Sequence, residues 1–300
     1  MSVKVKAPAS SANLGPGFDV LGLGLTLYNE IMLDFGGPGL ELIVTGEGQG
    51  VVDRHPQDNL AVRSIARFYE RIGDDLPPLH LTMDNRIPLS RGLGSSAATI
   101  VGALTAINAL SEADLSKKEL FDLAVEIEGH ADNVAAALYG GLTISYRQGD
   151  KFNVRRCEPD KKIGIVVLIP DVGLSTAKAR EALPDEITRE AAVFNIGRVS
   201  LLVESLLTGD LSNMAVALED ALHQPWRRKL VDDYDQVVES CLEAGAKGVA
   251  LSGAGPTMLA FYDKAEEAGF RDSLQATVGS RGLRRQLGFY SVDPGGAGLI

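Results

Sequence analysis

The stretch from Pro88 to Ala98 constrains the fold and function of this chain more than any other. Alternating apolar and polar residues over Leu79–Asp84 predict a strand before it, and apolar spacing over Ser96–Leu110 predicts a helix after it. Two glycines in the connection let the backbone approach a ligand closely, and the free N–H groups of the helix start favour an anion. The segment therefore predicts a phosphate-binding loop.

Two other interpretations fit the same stretch. One is a plain glycine turn into a capped helix, in which Ser95 and Ser96 only cap the helix; in a phosphate-binding loop the same two serines can also ligate a metal or bond a phosphate oxygen. The other is a dinucleotide site, because residues 92–97 match G-x-G-x-x-G/A, with Glu112 and Asp114 at a tolerable distance. The P-loop pattern G-x-x-x-x-G-K-[ST] is absent from the 300 residues, so a nucleotide site here must be of another kind.

Charge and composition exclude several classes of protein. The net charge of −11 argues against a nucleic-acid-binding protein, because no basic field is available to release counterions. It does not argue against ATP, since a local loop and Mg²⁺ decide that contact. The first six residues lack the apolar run of a signal peptide, and apolar runs such as Ile163–Pro170 are shorter than the roughly 20 residues of a membrane helix. We therefore expect a cytoplasmic protein that does not bind membranes.

The two cysteines, Cys157 and Cys241, lie far apart in the sequence, and neither they nor the four histidines have metal-ligand spacing. This argues against a zinc site and favours two thiols in a reducing compartment, with a disulfide as the open alternative.

The loop over residues 8–19 is rich in turn-forming residues but carries few charges. An ordinary surface loop is more polar, so this one is a candidate to fold inward and place Asn13 and Asp19 at a site. Simple Asx turns at these two residues are an equally supported alternative.

A cluster of polar residues follows a predicted helix that begins with a capping box at Ser116. Its members are Glu128, His130, Asp132 and Asn133, and apolar segments flank them on both sides. Confined polar groups need partners, and a ligand or a metal can be one. Glu126 also lies near the helix end, so the sequence leaves open which of the two glutamates is the ligand.

Interleaved strands and helices predict an α+β or an α/β fold with two domains, residues 1–155 and 156–300, separated near a charged stretch over 147–162. Helices are predicted over Leu60–Ile72 and over residues 212–222, and a strand is predicted over Leu287–Val292. Residues 248–261 are typical of a strand, a glycine turn and a second strand, in which Ser252 and Gly253 can face a phosphate.

Three of these stretches together resemble the GHMP kinase superfamily. Residues 88–98 match P-x-x-x-G-L-G-S-S-A-A at every fixed position, and residues 8–19 and 251–261 resemble the first and third motifs. The double serine and the third motif have no role in a dinucleotide domain, so this resemblance outweighs that interpretation. It implies an N-terminal domain resembling ribosomal protein S5 domain 2 and a ferredoxin-like C-terminal domain, with ATP between them.

Within the superfamily the chain is similar to the homoserine kinase family. Residues 11–19 match S-A-N-L-G-x-G-F-D and residues 128–134 resemble E-G-H-x-D-N-V, while Trp226 stands where the family more often has Tyr. The resemblance implies phosphorylation of the L-homoserine side-chain hydroxyl by ATP with Mg²⁺, on the route to threonine, by a homodimer. Another small-alcohol GHMP kinase, such as a mevalonate-type kinase, a non-catalytic ligand sensor and a distant dinucleotide-dependent oxidoreductase are the alternatives.

The resemblance also assigns roles to residues. The implied ATP-binding residues are Pro88, Leu89, Ser90, Arg91, Gly92, Leu93, Gly94, Ser95, Ser96, Ala97 and Ala98 of the loop, with Asn59, Ser252 and Gly253. Ser96 and Glu128 would hold Mg²⁺, since hard cations prefer oxygen ligands.

For the substrate, Arg180 and Arg227 suit the carboxylate through forked hydrogen bonds. Asp19 suits the ammonium or the hydroxyl, and the polar wall is completed by Asn13, His130 and Asn133. Ser96, Glu128, Asp132 and Asn133 are the implied catalytic residues. Asn133 is not a base, so we expect direct attack by an oriented hydroxyl, with Asp132 as the alternative base.

Overall fold

The first half of the chain forms most of a seven-stranded sheet. The computed structural model describes residues 2–52, 55–111 and 113–300, and Glu112 of the dinucleotide interpretation lies outside this part. The strands are β1 (Ser2–Ala12), β2 (Leu21–Phe35), β3 (Leu40–Gly46), β4 (Leu79–Asn85), β5 (Leu142–Gln148), β6 (Lys151–Cys157) and, from the chain end, β11 (Gly298–Leu299). The order β11-β1-β2-β4-β3, with β5 between β2 and β6, contains one parallel pair among the described strands, β3 with β4. This topology differs from the parallel sheet of a dinucleotide domain.

Four helices belong to this half: α1 (Leu60–Ile72), α2 (Ser95–Leu110), α3 (Lys117–Glu128) and α4 (Asp132–Tyr139); α2 and α4 pack on the sheet, and α1 and α3 pack against α2. The predicted capping box begins α3, because the Ser116 side chain accepts from the Glu119 N–H and the Glu119 side chain accepts from the Ser116 N–H. α2 is apolar on all sides and contacts the sheet and the other three helices. The helix that follows the glycine loop is therefore fixed in the centre of the first core.

The second half forms a four-stranded antiparallel sheet in the order β10-β7-β9-β8. Its strands are β7 (Ile163–Pro170), β8 (Gly248–Leu251), β9 (Met258–Asp263) and β10 (Arg285–Tyr290), and its two long helices are α9 (Tyr234–Ala244) and α10 (Glu267–Ser280). In chain order the strands lie 4-1-3-2, with helices before the second and fourth strands, which is ferredoxin-like. The fold is thus α+β with two sheets, as the sequence predicted.

Four helices connect β7 to α9: α5 (Thr176–Glu181), α6 (Arg189–Thr208), α7 (Met214–Ala217) and α8 (Gln224–Arg227). The predicted helix over 212–222 is wrong in extent, because only α7 is helical there. The Asp220 carboxylate accepts from the backbone N–H groups of Leu222, His223 and Gln224, and this hydrogen bonding turns the chain before α8.

One of the buried apolar clusters is formed by residues of both halves. Residues of β1 and β2, such as Ala9 and Leu23, pack in the same buried cluster as Ile165 of β7 and Leu259 of β9. The predicted boundary between residues 155 and 156 stays a prediction; β6, which spans it, pairs with β5 from end to end.

Of the described helices, α6 alone combines 20 residues with a mean hydropathy of 1.4, the length and composition that crossing a membrane requires. Its Leu202 and Leu206 are fully buried in the core shared by the two halves. This side of α6 is therefore packed inside the fold.

Candidate active site

A cavity of about 590 Å³ lies where the two halves meet. The predicted site residues that line it are Asn13, Asp19, Asn59, Pro88, Leu89, Ser90, Arg91, Gly92, Leu93, Gly94, Ser95, Ser96, Glu128, His130, Asp132, Asn133, Arg180, Arg227 and Gly253. Val52, His55 and Leu60 extend the cavity beyond the glycine loop, and the sequence had not indicated these three residues. The predicted residues of all three sequence motifs thus share one space.

The glycine loop leaves β4 and ends in α2. Gly92 and Gly94 have φ values of 76° and 65°, a left-handed conformation that glycine adopts without steric cost. Gly94 is the N-cap residue of α2 and has no side chain to cap it, so the first N–H groups of the helix remain for a ligand. Helix N-termini favour anions, so the loop suits a phosphate group.

The loop is wedged against the second half of the chain. A Cβ on Gly92 would lie 2.2 Å from the Ser252 carbonyl oxygen. The Ser252 hydroxyl is 2.6 Å from the Gly92 carbonyl oxygen and 2.8 Å from Ser11 Oγ, and its side chain is fully buried. Ser252 therefore supports the loop from outside the cavity.

Arg91 also donates hydrogen bonds across the contact between the two halves, which we call the seam. Its Nε donates to the Pro170 carbonyl (2.9 Å), Nη1 to Leu89 (2.9 Å) and Nη2 to Asp171 (2.5 Å). All three nitrogens thus bind backbone oxygens rather than pointing at a phosphate. Of the other residues predicted to bind ATP, Ala97 and Ala98 lie outside the cavity in the cores, because their positions on α2 face inward.

Ser96 and Glu128 meet at the start of α2. Ser96 Oγ donates to Glu128 Oε1 at 2.5 Å, and burial raises the pKa of Glu128, partly offset by this hydrogen bond and by the charge of His130. Glu126 is half exposed and pairs with Arg71 at 3.5 Å. Of the two glutamates left open by the sequence, Glu128 is the one at the cavity.

These oxygen donors fit a magnesium ion. Where Mg²⁺ binds together with a phosphate ligand, one or two carboxylates hold it along with phosphate oxygens and waters, so a complete set of protein ligands is not needed. In the described ranges no group of three or more His, Cys, Asp and Glu side chains is arranged to hold a metal. The pair suits an ion that arrives with a nucleotide.

The start of α4 brings three further polar side chains to the cavity. Asp132 is 3 % exposed and its Oδ1 accepts from the Asn133 N–H at 2.8 Å; burial raises its pKa to about 6. Burial, together with the charge of Arg180, lowers the pKa of His130. Both shifts favour the uncharged forms of the two side chains.

Asn133 is oriented by Ser10, a residue that the sequence did not single out. Ser10 Oγ donates to Asn133 Oδ1 at 2.9 Å, which leaves the Asn133 amide nitrogen as the group available for a ligand. A Cβ on Gly94 would lie 2.0 Å from Ser10 Oγ, so glycine is required for this contact. Ser10 belongs to the turn-rich stretch over 8–19, and no local pattern marks its partner on α4.

A charged cluster of Asp19, Arg180 and Arg227 also lines the cavity. Arg180 forms a two-pronged ion pair with Asp19, with distances of 2.9 and 3.1 Å. Arg227 is 2 % exposed, and its Nε donates to the Ala179 carbonyl at 3.2 Å. Burial lowers the pKa of Arg227 to about 10, and the neighbouring Arg180 adds to this shift. Arg227 nevertheless stays charged near neutral pH, and it lies beside a second guanidinium.

An aromatic ring lies beside both cations. The guanidinium carbons of Arg180 and Arg227 are 5.9 and 5.2 Å from the centroid of Phe18, within the range of cation–π contacts. His223 stacks on the same ring with centroids 5.3 Å apart. The sequence indicated neither Phe18 nor His223 as a site residue, although both lie within or beside the quoted motifs.

The glycine loop at the start of a central helix, between an S5-like half and a ferredoxin-like half, defines a class of phosphotransferase. The sequence model of the GHMP kinases N terminal domain matches residues 59–141, and that of the GHMP kinases C terminal domain matches residues 202–279. Fold, site and sequence together make this protein a GHMP kinase.

Its relatives define the family more narrowly. A homoserine kinase of Moorella thermoacetica is 45 % identical over 257 residues, which cover 86 % of each chain. A homoserine kinase of Synechocystis sp. is 39 % identical over 99 % of this chain and 98 % of the relative. The crystal structure of homoserine kinase from Cytophaga hutchinsonii superposes with a TM-score of 0.87 at 31 % identity, covering 100 % of this chain and 97 % of that one. The chain belongs to the homoserine kinase family.

Proposed function

We propose that this protein transfers the γ-phosphoryl group of ATP to the side-chain hydroxyl of L-homoserine, yielding ADP and O-phospho-L-homoserine for threonine biosynthesis. The observation that carries the proposal is the arrangement of one cavity. The cavity is lined both by a phosphate-binding loop with Ser96 and Glu128 and by a charged cluster of Asp19, Arg180 and Arg227. Homoserine has a hydroxyl at one end and an ammonium and a carboxylate at the other, so its polarity matches this arrangement.

In this reaction a bond forms between the homoserine oxygen and the γ-phosphorus, the bond from that phosphorus to the β–γ bridging oxygen breaks, and the hydroxyl proton is released. The transition state is loose, so positioning and charge stabilisation supply most of the catalysis. The glycine loop and the start of α2 would hold the phosphates. Mg²⁺, which we propose is held by Ser96 and Glu128, supplies neutralisation of phosphate charge when bound.

We propose that Asn133 orients the acceptor. Its amide nitrogen remains for a ligand because Ser10 occupies the amide oxygen, so it can donate to the homoserine oxygen but cannot remove its proton. Asp132 has a raised pKa, yet its Oδ1 is engaged by the Asn133 N–H. The donor role of Asn133 and the engaged Oδ1 of Asp132 favour attack by an oriented hydroxyl, with Asp132 kept as the alternative base.

The charged cluster of Asp19, Arg180 and Arg227 would bind the rest of the substrate. Asp19 and Arg180 now neutralise each other, and the ammonium and carboxylate of an amino acid can replace each partner. Arg227 is adjacent and adds a second guanidinium for the carboxylate. An acceptor with both charges therefore gives each charged side chain of the cluster a partner of opposite sign, whereas a neutral alcohol would leave Asp19 and Arg180 paired with each other.

The test is an ADP-release assay with Mg-ATP and, in parallel, L-homoserine, mevalonate, galactose and L-threonine. We expect turnover on homoserine alone. Turnover on another alcohol would overturn the acceptor assignment, and no turnover with intact ATP binding would favour a ligand sensor.

Arg227→Ala should raise KM for homoserine at least tenfold, because a charge-assisted hydrogen bond to the carboxylate is lost, and leave KM for ATP within about twofold. Arg228→Ala is the matched control, since Arg228 is exposed and pairs with Asp235 on the surface. Equal effects on both KM values would contradict carboxylate binding by Arg227.

The homodimer and the cytoplasmic location expected from the family and the sequence stay predictions. Sedimentation equilibrium of the purified protein and fractionation of cells that express it test them.

A further inference from the structure

A buried group of side chains next to Arg227 has no part in the reaction described above. It centres on Asp220, whose carboxylate is fully buried. Asp220 accepts hydrogen bonds from Asn195 Nδ2 at 2.7 Å and from the backbone N–H groups of residues 222, 223 and 224 at 2.6 to 2.9 Å. These bonds compensate the buried charge and fix the turn that leads into α8.

His223 follows this turn and is fully buried. Its Nε2 lies 2.8 Å from the Gly15 carbonyl oxygen, which can only accept, so Nε2 carries the proton. Asp220 Oδ2 lies 3.5 Å from the same nitrogen. The other ring nitrogen, Nδ1, is therefore an acceptor, and it lies 3.3 Å from Arg227 Nη1. Burial lowers the pKa of His223 to about 4, which keeps this tautomer neutral at physiological pH.

These contacts engage two of the three guanidinium nitrogens of Arg227, Nε and Nη1. Nε donates to the Ala179 carbonyl, while Nη1 lies 3.3 Å from both His223 Nδ1 and the Gly253 carbonyl oxygen. In the part of the chain that the structure describes, no hydrogen bond is found for Nη2. The guanidinium is thus held on two sides, and its Nη2 edge remains for a ligand in the cavity.

We propose that His223 is a positioning residue for substrate recognition: it fixes the guanidinium plane of Arg227 so that the Nη2 edge meets the carboxylate of the acceptor. The proposal rests on the proposed function. Phe18 supports the arrangement, because its ring stacks on His223 and also lies beside the Arg227 guanidinium. Asp220 acts one step further back by fixing the turn that carries His223.

Three substitutions separate the two ring nitrogens. His223→Asn keeps a short amide whose oxygen can accept from Arg227 in place of Nδ1. His223→Gln extends further, so that its amide nitrogen can donate to Gly15 in place of Nε2, but the acceptor for Arg227 is lost. His223→Phe keeps the stacking on Phe18 and loses both hydrogen bonds.

The readout is the ratio of kcat/KM for L-homoserine to kcat/KM for 3-aminopropan-1-ol, which is homoserine without its carboxylate. We expect His223→Gln and His223→Phe to lower this ratio about tenfold, as for a misaligned charge-assisted hydrogen bond, and His223→Asn to keep it near the wild-type value. KM for ATP should change less than twofold. His80→Gln is the matched control, because His80 lies on the surface of the first sheet, beside Asp34 and Glu41.

A purely structural role of His223 would lower activity on both acceptors alike, and that result would overturn the proposal. So would equal ratios for the Asn and Gln variants. Phe18→Leu, which touches none of these hydrogen bonds, keeps the test decisive if the His223 variants do not fold: it should lower the same ratio by a smaller factor, and an unchanged ratio would refute the proposal. Failure of the proposed function is distinct, since the wild-type protein would then not phosphorylate homoserine.

Discussion

Replacing Gly92 with alanine should separate the phosphate loop from the second half of the molecule. The new Cβ would lie 2.2 Å from the Ser252 carbonyl oxygen and 2.8 Å from that of Gly255, about 1.2 Å short of ordinary contact for the nearer atom. Both obstacles are backbone atoms, so neither can rotate away. The loop must move instead, which breaks the Ser252 contact with the Gly92 carbonyl and the hydrogen bond from the Thr257 N–H to Arg91.

The expected magnitude follows from these contacts. A left-handed backbone costs alanine about 1 kcal/mol. Loss of two hydrogen bonds and of close packing adds about 2 to 3 kcal/mol. A cooperative unit of 300 residues loses about 1.6 °C in Tm per kcal/mol, so Gly92→Ala should unfold roughly 5 to 6 °C below wild type.

Gly73→Ala is the matched control. Gly73 ends α1 with a φ of 78°, and a Cβ there meets nothing within 4 Å. This variant has the same backbone penalty without the clash, so its Tm should fall by only about 2 °C. Calorimetry, together with KM for ATP, compares the two variants. If Gly92→Ala loses no more stability than Gly73→Ala and keeps its KM for ATP, the loop is not wedged and the reasoning fails.

Three further substitutions test the residues assigned to catalysis and to Mg²⁺ binding. Asp132→Asn should keep much of the turnover, because no base is required, and near-total loss would refute attack without a base. Burial raises the pKa of Asp132 from 3.8 to about 6, so the ionised side chain destabilises the fold by an amount that grows between these two pH values and is complete above pH 6; the variant should therefore melt higher than wild type at pH 8, with the difference gone by about pH 4. Ser10→Ala frees the Asn133 amide and should lower kcat about tenfold with KM for ATP nearly constant, whereas an unchanged kcat would show that Ser10 does not orient it. Glu128→Gln should raise the Mg²⁺ concentration for half-maximal rate at least tenfold; an unaltered Mg²⁺ titration would exclude Glu128 as a ligand.

The elements that carry local signals could be predicted from the sequence. The helix over Leu60–Ile72 has the predicted bounds, and the strand, glycine loop and helix around residues 79–110 lie where apolar spacing and glycines indicated. Strand β10 begins and ends two residues earlier than the predicted strand over Leu287–Val292, because short apolar runs define ends poorly.

The contacts that shape the site are not local, and this is why the sequence alone could not supply them. Ser10 and Asn133 are 123 positions apart, and Asp19 and Arg180 are 161 positions apart. Asp220 looked like one polar residue on a predicted helix. Its burial, and the hydrogen bonds that its carboxylate accepts from three N–H groups, depend on packing between α6 and the loop that joins β1 to β2.

The seam at Arg91 and Gly92 has a consequence for how this protein can be divided or recombined. The loop comes from the first half of the chain, yet the backbone of residues 170–171 and 252–257 fixes its shape, and β11 returns from the far end to pair with β1. A polypeptide cut near residue 157 would leave the phosphate loop in one fragment and the backbone that fixes its shape in the other. A chimaera that exchanges one half with a relative will function only where the incoming turn brings its carbonyl oxygens to the same places, so the two halves form one structural unit.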